Sequence, residues 1–334
     1  MDSSSAVEND SRRVSEPLRP MNLGEILDRT FEIYRSRFLV FLGIAVLPSL
    51  LAMAVLIFGR LLKQMDLVPA ASGETKVALR AFGNWLASEG LEMYFSCLAW
   101  PVFAFLTSRI LLKEEAKLAS ALSWFASYWR DCVGLAGAMW LLIFALPNCV
   151  GLIPTVRLAA SSGAHQVVGG GWGYQLGLFF VFLVVWIAGA LLCIQFATSV
   201  PVLAIERLPF SDALRRGLGL AGGGRMRVLI AWFVAWALKA VFDVGFGGVF
   251  VLALRTVLNT SRGFYLRQGA YAVLEFLAAN GGWILAAPIY PIAITLFYYD
   301  QRIRREGFDI ERMMEAAGMN LAEIPAAESD SDEV

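Results

Sequence analysis

Histidine, cysteine and charged side chains are all scarce in this chain, and each scarcity excludes a class of protein. His165 is the only histidine among 334 residues, which argues against chemistry that needs a histidine pair, and 17% of the residues are charged. Ordinary soluble domains carry about 25% charged residues. The formal net charge is +0, so no overall basic field attracts nucleic acid, and we predict no nucleic-acid partner.

The cysteines and the known sequence motifs also give no sign of a chemical centre. The four cysteines lie in or beside apolar runs, with no CxxC spacing and no Cys/His cluster. A disulfide framework or a zinc site is therefore not expected. The sequence contains no P-loop, nucleophile elbow, metal-spacing motif or dinucleotide fingerprint. We predict no catalytic residue, no metal and no cofactor, and therefore a protein that is not an enzyme.

Long apolar runs are what the chain has in abundance, since 58% of its residues are hydrophobic. A helix needs about 20 apolar residues to cross a bilayer, and six runs meet that length. We predict an all-α integral membrane protein, retained in the membrane without a cleaved signal peptide. The predicted spans are Phe38 to Phe58, Leu91 to Leu112, Val133 to Ile153, one within Tyr174 to Ile205, one from Val228, and one ending at Tyr299.

The distribution of lysine and arginine predicts which ends of these spans face the cytoplasm. Nineteen of them lie in the two terminal segments and in the second-to-third and fourth-to-fifth connections, against eight in the other three loops. Basic loops stay on the cytoplasmic side. We therefore predict a multi-pass protein of a bacterial cytoplasmic membrane with both termini inside.

A unit of one amphipathic stretch followed by two apolar runs occurs three times. The predicted repeats are about 21–112, 113–205 and 206–305, each a cytoplasmic amphipathic helix plus a transmembrane hairpin. Asn22 followed by Glu25 indicates a capped helix start, and Ser211 is the predicted cap of the third, short helix. Outside the membrane domain, 21–312, the segments 1–20 and 313–334 are predicted to be disordered. The predicted apolar stripes are Leu23, Ile26, Leu27, Phe31, Tyr34 and Phe38 in the first unit, Leu118, Leu122, Phe125 and Trp129 in the second, and Leu214 and Leu218 in the third.

Each return helix also carries a proline in a similar apolar context, at Pro101, Pro201 and Pro291. Proline bends a spanning helix where neighbours satisfy the freed carbonyl. Three such bends suggest a bundle that narrows around a common axis. They serve either to shape that bundle or to form a hinge or binding cavity.

Lys239 and Asp243 lie one helical turn apart in the predicted fifth span and so share a face. Charges inside a membrane are costly and often functional. The two residues form either a structural ion pair or part of a polar cavity or lipid-headgroup site.

A basic set on the cytoplasmic side gives a second candidate site: Arg215, Arg216, Arg225 and Arg227. Such a set favours contact with anionic lipid headgroups or serves to fix the topology. Membrane lipids are therefore the predicted partners, together with a protein partner or a second copy of the chain.

Three segments, 20–38, 205–229 and 296–310, resemble a bacterial integral-membrane family, most specifically in the pattern Tyr-Asp-x-Arg-x-Arg-x-Glu-Gly at 299–307. This is the membrane-domain family of glycerophosphoryl diester phosphodiesterases, which includes stand-alone members without the phosphodiesterase barrel. The resemblance implies a helical plasma-membrane domain. It carries over no catalytic residue, because the roughly 250 residues of such a barrel are not found after the last span.

Three functions are consistent with the sequence. The leading prediction is a non-enzymatic membrane module that binds lipid or a protein partner. The second is a transporter or channel for a solute or lipid, with a path near Lys239 and Asp243. The third is a membrane partner of a lipid phosphodiesterase that is supplied in trans.

Overall fold

The computed structural model describes residues 19–64, 74–146, 148, 172–222, 224–260, 280–308, 310 and 314. These residues form helices joined by turns, and no strand occurs among them. The predicted all-α class is confirmed for this part of the chain. The predicted disordered segments, 1–20 and 313–334, lie almost entirely outside it, as do His165, Cys149 and the side chain of Cys193.

The main helices follow in chain order. Residues 280–286 are also helical and lead through a turn at 287–288 into the last of them. The bounds are α1 Leu23–Ser36, α2 Phe38–Gln64, α3 Glu74–Leu111, α4 Leu118–Trp140 with a π-helical turn at Leu141–Ala145, α5 Trp172–Phe196, α6 Ser199–Glu206, α7 Phe210–Ala221, α8 Arg225–Thr260 and α9 Ile289–Glu306.

Four helical stretches of the described part are long and apolar enough to cross a membrane. They overlap the predicted first, second, fourth and sixth spans, so these apolar runs are confirmed as helices of spanning length. The predicted fifth span falls on α8, and the predicted third span begins on α4 and ends outside the described residues; neither is among the four. The stretches are Phe38–Val55, Gly90–Leu111, Phe179–Glu206 and Asn280–Glu306.

Helix α1 begins with the predicted cap. The side chain of Asn22 accepts a hydrogen bond from the Glu25 N–H at 2.9 Å, and Glu25 accepts one from the Asn22 N–H at 2.8 Å. The two residues thus satisfy each other's backbone donors in a capping box, which confirms the prediction from their spacing.

Helix α7 begins differently from the prediction. It starts at Phe210 after Pro209, so Ser211 lies inside the first turn and is not the cap. The prediction of Ser211 was wrong because a distant side chain meets the helix start: Asp131 of α4 accepts a hydrogen bond from the Phe210 N–H at 3.1 Å. The helix is short, with 12 residues, and continues through Gly217 and Gly219.

The amphipathic helices bury only part of their predicted stripes. In α4, Ala121 and Trp124 are buried, whereas Leu122 and Trp129 are exposed. Of the predicted residues, Ile26 is buried, Tyr34, Phe125 and Leu214 pack partly buried against the core, and Leu218 is exposed. The buried residues of the other two helices are Ile26, Thr30 and Ile33 in α1 and Ala213, Gly217, Leu220 and Ala221 in α7.

Two of the three prolines stand where a new helix begins. The chain turns at 197–198 and at 287–288, and Pro201 and Pro291 are each the third residue of the helix that follows. The first-turn N–H groups of a helix have no intrahelical acceptor, so proline costs no hydrogen bond there. Pro101 differs because it lies inside the continuous helix α3.

The three proline-bearing helices, α3, α6 and α9, contact one another and form the centre of the bundle. Their side chains there are fully buried, including Ala104, Leu106, Val202, Leu203 and Ile292 at 0% exposure. Interiors of this kind are packed as densely as organic crystals. The described residues thus form a buried apolar centre where α3, α6 and α9 meet, and the narrowing around a common axis stays a prediction.

Candidate functional site

A buried carboxylate lies near the end of α9 and gathers three segments of the chain. The Asp300 residue is 0% exposed. Its carboxylate accepts hydrogen bonds from the Met21 N–H at 2.8 Å, from Arg304 Nε at 2.9 Å and from Arg227 Nη1 at 3.0 Å. These partners come from the entry to α1, the C-terminal end of α9 and the first turn of α8. A buried charge is tolerated only when it is paired and hydrogen-bonded in this way.

Arg304 completes the connection to the N-terminal segment. Its Nη2 donates to the Met21 carbonyl oxygen at 3.0 Å, while its Nε binds Asp300 one helical turn earlier. The fixed fork of a guanidinium suits such two-site binding. The capping box of α1 follows directly at Asn22, so Asp300 and Arg304 together fix the point where the described chain enters the bundle.

A second polar cluster lies on the neighbouring face of α9. Glu206, the last residue of α6, accepts a hydrogen bond from the Tyr298 hydroxyl at 2.8 Å and pairs with Arg216 Nε at 3.2 Å. Arg216 Nη2 also reaches Glu306 Oε1 at 2.5 Å. Arg216 of α7 therefore bridges the ends of α6 and α9.

The bridging position of Arg216 changes its acid–base behaviour. Burial by itself would lower the pKa of this guanidinium, but hydrogen bonds and opposite charges from Glu206 and Glu306 raise the pKa above its ordinary value. The side chain is therefore a permanent cation held by two carboxylates. Together with Arg227, it belongs to the internal framework of the protein.

Arg302 belongs to the same cluster, and its side chain packs over Phe308, which follows the C-terminal end of α9. Its Nε pairs with Glu306 Oε2 at 3.1 Å, and its guanidinium carbon lies 4.2 Å from the centre of the Phe308 ring. Cation–π contact at this distance is favourable. Gly307 has a φ of +65°, in the left-handed region that glycine adopts without strain, and this allows the chain to fold Phe308 back toward Tyr299.

The glycine-rich turn between α7 and α8 packs tightly on α9. A Cβ on Gly224 would lie 2.4 Å from Phe297, so no other residue fits there without movement. On the α7 side, Arg305 Nη1 donates to the Gly219 carbonyl oxygen at 2.6 Å. These contacts place the start of α8 beside the two polar clusters.

The four arginines predicted to contact lipid divide into two pairs. Arg216 and Arg227 are engaged with Glu206, Glu306 and Asp300 and are partly buried. Arg215 and Arg225 are exposed, and neither has a hydrogen bond or ion pair with another described residue. The structure therefore leaves one arginine on each side of the glycine-rich turn available for an external anion.

The predicted intramembrane pair receives a partial description. Lys239 lies on α8 and is half-buried, with an interaction to a neighbouring group, while the side chain of Asp243 lies outside the described residues. Both residues belong to one continuous helix, as their spacing predicts. Whether they form an ion pair or line a polar cavity stays a prediction.

Within the described part of the chain, no group of three His, Cys, Asp or Glu residues is arranged to hold a metal ion. Cys97 and Cys132 are buried and form no disulfide, which fits their predicted place as small apolar residues in helices. The acidic residues that do cluster, Glu206 and Glu306, are held by arginine.

Sequence reasoning missed the role of Asp300 and the second cluster. Asp300 and Arg304 are spaced i and i+4 directly after a long apolar run, a pairing that stabilises helices and could have been recognised. Arg227 and Met21 could not have been found in this way, because they lie 73 and 279 residues from Asp300 along the chain.

Comparison of the chain with protein-family models, with curated proteins and with solved structures finds no match. The resemblance to the membrane-domain family of glycerophosphoryl diester phosphodiesterases therefore stays a prediction. The Tyr-Asp-x-Arg-x-Arg-x-Glu-Gly residues that carry most of that resemblance are those that build the two polar clusters around α9.

Proposed function

We propose that this protein is a non-enzymatic, six-span module of a bacterial cytoplasmic membrane that binds anionic lipid headgroups at its cytoplasmic end. The binding groups are Arg215 and Arg225. The observation that carries the proposal is the division of the four arginines: Arg216 and Arg227 are paired with carboxylates of the bundle, and Arg215 on α7 and Arg225 at the start of α8 are exposed.

The internal pairs matter because they make the corner between α7 and α8 rigid before a lipid arrives. Arg216 and Arg227 tie the start of α8 and the body of α7 to α6 and α9. A headgroup that binds Arg215 and Arg225 then does not need to order the backbone, which lowers the entropic cost of binding. Each basic residue near an anionic surface contributes about 1 kcal/mol.

The buried apolar centre supports a binding module over a transport path. Where α3, α6 and α9 meet, their inward-facing residues are fully buried. The ionic clusters connect the ends of the helices. Alternating access needs helices that rock or separate, and both features oppose such movement.

Native mass spectrometry with added lipid tests this proposal. The wild type is titrated with phosphatidylglycerol and, separately, with phosphatidylcholine, and the double variant Arg215→Gln/Arg225→Gln is treated in the same way. We expect selective retention of phosphatidylglycerol by the wild type and a loss of roughly thirty-fold in the double variant, since two arginines at about 1 kcal/mol each contribute about 2 kcal/mol.

The matched control removes two exposed arginines elsewhere, in Arg29→Gln/Arg35→Gln on α1. Retention of phosphatidylglycerol should be unchanged in this variant. An equal loss in both double variants would mean that total charge, and not the α7–α8 corner, determines binding. Equal retention by the wild type and Arg215→Gln/Arg225→Gln would contradict the site itself.

The proposed orientation has its own test. An impermeant thiol reagent should label Ser72→Cys in intact cells. It should label Ser329→Cys only after the cells are permeabilised. This follows from the greater number of basic residues on the side assigned to the cytoplasm. Equal labelling of both positions in intact cells would contradict the topology.

A further inference from the structure

The three amphipathic helices share an unexpected arrangement of apolar residues. In each helix, a residue buried against the bundle is followed directly by a larger apolar residue that is exposed or half-exposed. The pairs are Thr30 and Phe31 in α1, Ala121 and Leu122 in α4, and Gly217 and Leu218 in α7.

One residue along an α-helix is a rotation of about 100° in a fixed direction. The exposed apolar side chains therefore lie roughly a quarter turn from the buried face, and in the same direction in all three helices. Neighbouring turns extend the exposed stripe. In α4 it runs through Leu118 and Leu122, while Trp124 on the buried face is 6% exposed. Trp129, which is 51% exposed, follows a kink at Tyr128.

We propose that these second faces insert into the acyl-chain region of the cytoplasmic leaflet, so that the three helices form an apolar rim at one end of the protein. The rim consists of Phe31, Leu118, Leu122 and Leu218. The proposal does not depend on headgroup binding by Arg215 and Arg225, because it rests on apolar side chains of three separate helices.

Continuity with the faces of the spans identifies the occupant as lipid. Beyond α1, the exposed apolar surface continues at Leu39 of α2, which is 78% exposed, and beyond α7 at Met226 of α8, which is 67% exposed. Exposed apolar side chains of α2 and α8 therefore begin within a few residues of the amphipathic helices, beside the exposed Arg37 and Arg225.

The remaining face of each helix is polar and suits the water side of the interface. It carries Asp28, Glu32 and Arg35 in α1, Ser123 and Ser127 in α4, and Ser211 and Asp212 in α7, all exposed. A helix with one apolar and one polar side lies in the interface plane. Here a third side, buried against the bundle, is used for docking to the protein.

Site-directed spin labelling in lipid nanodiscs tests the rim directly. Single cysteines replace the rim residues Phe31, Leu122 and Leu218 and the adjacent polar residues Glu32, Ser123 and Asp212, in a background whose native cysteines are alanine and whose melting temperature matches the wild type. Collision rates of each nitroxide are measured with oxygen, which concentrates in lipid, and with a nickel chelate, which stays in water.

We expect labels at the rim to collide several-fold more often with oxygen and several-fold less often with nickel than their polar neighbours. Nickel access that is equal at rim and polar positions would overturn the proposal. Low access to both reagents, with spin–spin broadening that disappears on dilution with unlabelled protein, would also overturn it and would place a second copy of the chain over this face. Both arginines of the lipid-headgroup site are intact in these variants, so the two proposals fail or succeed separately.

Discussion

At the scale of single residues, the carboxylate of Asp300 joins the entry to α1, the start of α8 and the end of α9. The Asp300→Asn variant keeps the shape but removes the charge that Arg227 and Arg304 share. Breaking a buried pair from one side costs about 3–5 kcal/mol, and since both arginines reach solvent we expect the lower end of that range. Denaturation in detergent, followed by tryptophan fluorescence, measures the loss in free energy of unfolding.

The control for this prediction is Glu32→Gln, which breaks the exposed pair with Arg29. Exposed ion pairs contribute at most about 1 kcal/mol, so the free energy of unfolding should change little. If Asp300→Asn and Glu32→Gln are equally harmless, the buried carboxylate does not hold the chain ends together.

The capping box of α1 gives a second prediction for single residues. Replacing Asn22 by alanine removes the acceptor of the Glu25 N–H, and loss of such a cap typically costs about 1 kcal/mol. We expect faster hydrogen–deuterium exchange over residues 23–30 in Asn22→Ala, and unchanged exchange there in Arg29→Ala. Similar exchange in Asn22→Ala and the wild type would show that packing against the bundle, and not the cap, protects this turn.

The pH dependence of this cap follows from Glu25. The hydrogen bond from the Asn22 N–H lowers the pKa of this carboxyl below 4.5, and the charge of Arg19 lowers it further. A lowered pKa means that the carboxylate stabilises α1 above its pKa in the unfolded chain and loses this effect as the pH falls through the folded value. The exchange protection of α1 should therefore be constant near neutral pH and weaken in acid, below about pH 4.5.

At the scale of helices, docking depends on glycines that admit close approach. A Cβ on Gly217 would lie 2.6 Å from the backbone nitrogen of Ser199, and Thr198 donates to the Gly217 carbonyl oxygen at 2.7 Å. Gly217→Ala should therefore separate α7 from α6 and lower the free energy of unfolding by about 1–3 kcal/mol. Chemical denaturation in detergent again measures the change.

Gly219 offers a matched control two residues away. A Cβ there meets nothing within 4 Å, so Gly219→Ala should be neutral or stabilise α7 by up to about 1 kcal/mol, because alanine favours the helix. A loss of stability in both variants would attribute the effect to glycine in general and contradict the docking role of Gly217.

The contrast between these two glycines shows why periodicity located the helix but not all of its buried residues. The sequence predicted Leu214 and Leu218 as the apolar stripe of this helix. Leu214 packs against the core and Leu218 is exposed, whereas Ala213 and Gly217 are buried. Distances between helices are set by tertiary packing, which a stripe read from one helix does not contain.

At the scale of the whole molecule, apolar length alone predicted the helices, while the polar connections between them could not be predicted. Four stretches of spanning length coincide with predicted spans. The cluster around Asp300 joins residues from three distant segments, and the local sequence of Met21 or Arg227 does not indicate a partner on α9. The sequence predicted four equivalent arginines as the candidate lipid site. Because Arg216 and Arg227 pair with carboxylates of distant segments, the candidate site is reduced to Arg215 and Arg225.

A rim on one side of the bilayer also predicts how the protein distributes between flat and curved membranes. Phe31, Leu122 and Leu218 belong to amphipathic helices, which the predicted topology places on the cytoplasmic side of the membrane. Side chains that insert into one leaflet expand that leaflet at the headgroup level, and binding of such helices depends on curvature. The protein should therefore concentrate where the cytoplasmic leaflet is convex.

Membrane tubes pulled from giant vesicles measure this preference. The labelled protein is reconstituted with its cytoplasmic face outward, and its density relative to a lipid dye is compared between tube and vesicle. We expect enrichment on the tube that falls in Phe31→Ser/Leu122→Ser/Leu218→Ser and persists in Ser123→Ala/Ser127→Ala, whose substitutions lie on the polar face of α4. Enrichment that survives loss of the rim would assign the curvature preference to the shape of the bundle. Equal density on tube and vesicle would contradict insertion of the rim, because insertion into one leaflet makes the two leaflets unequal.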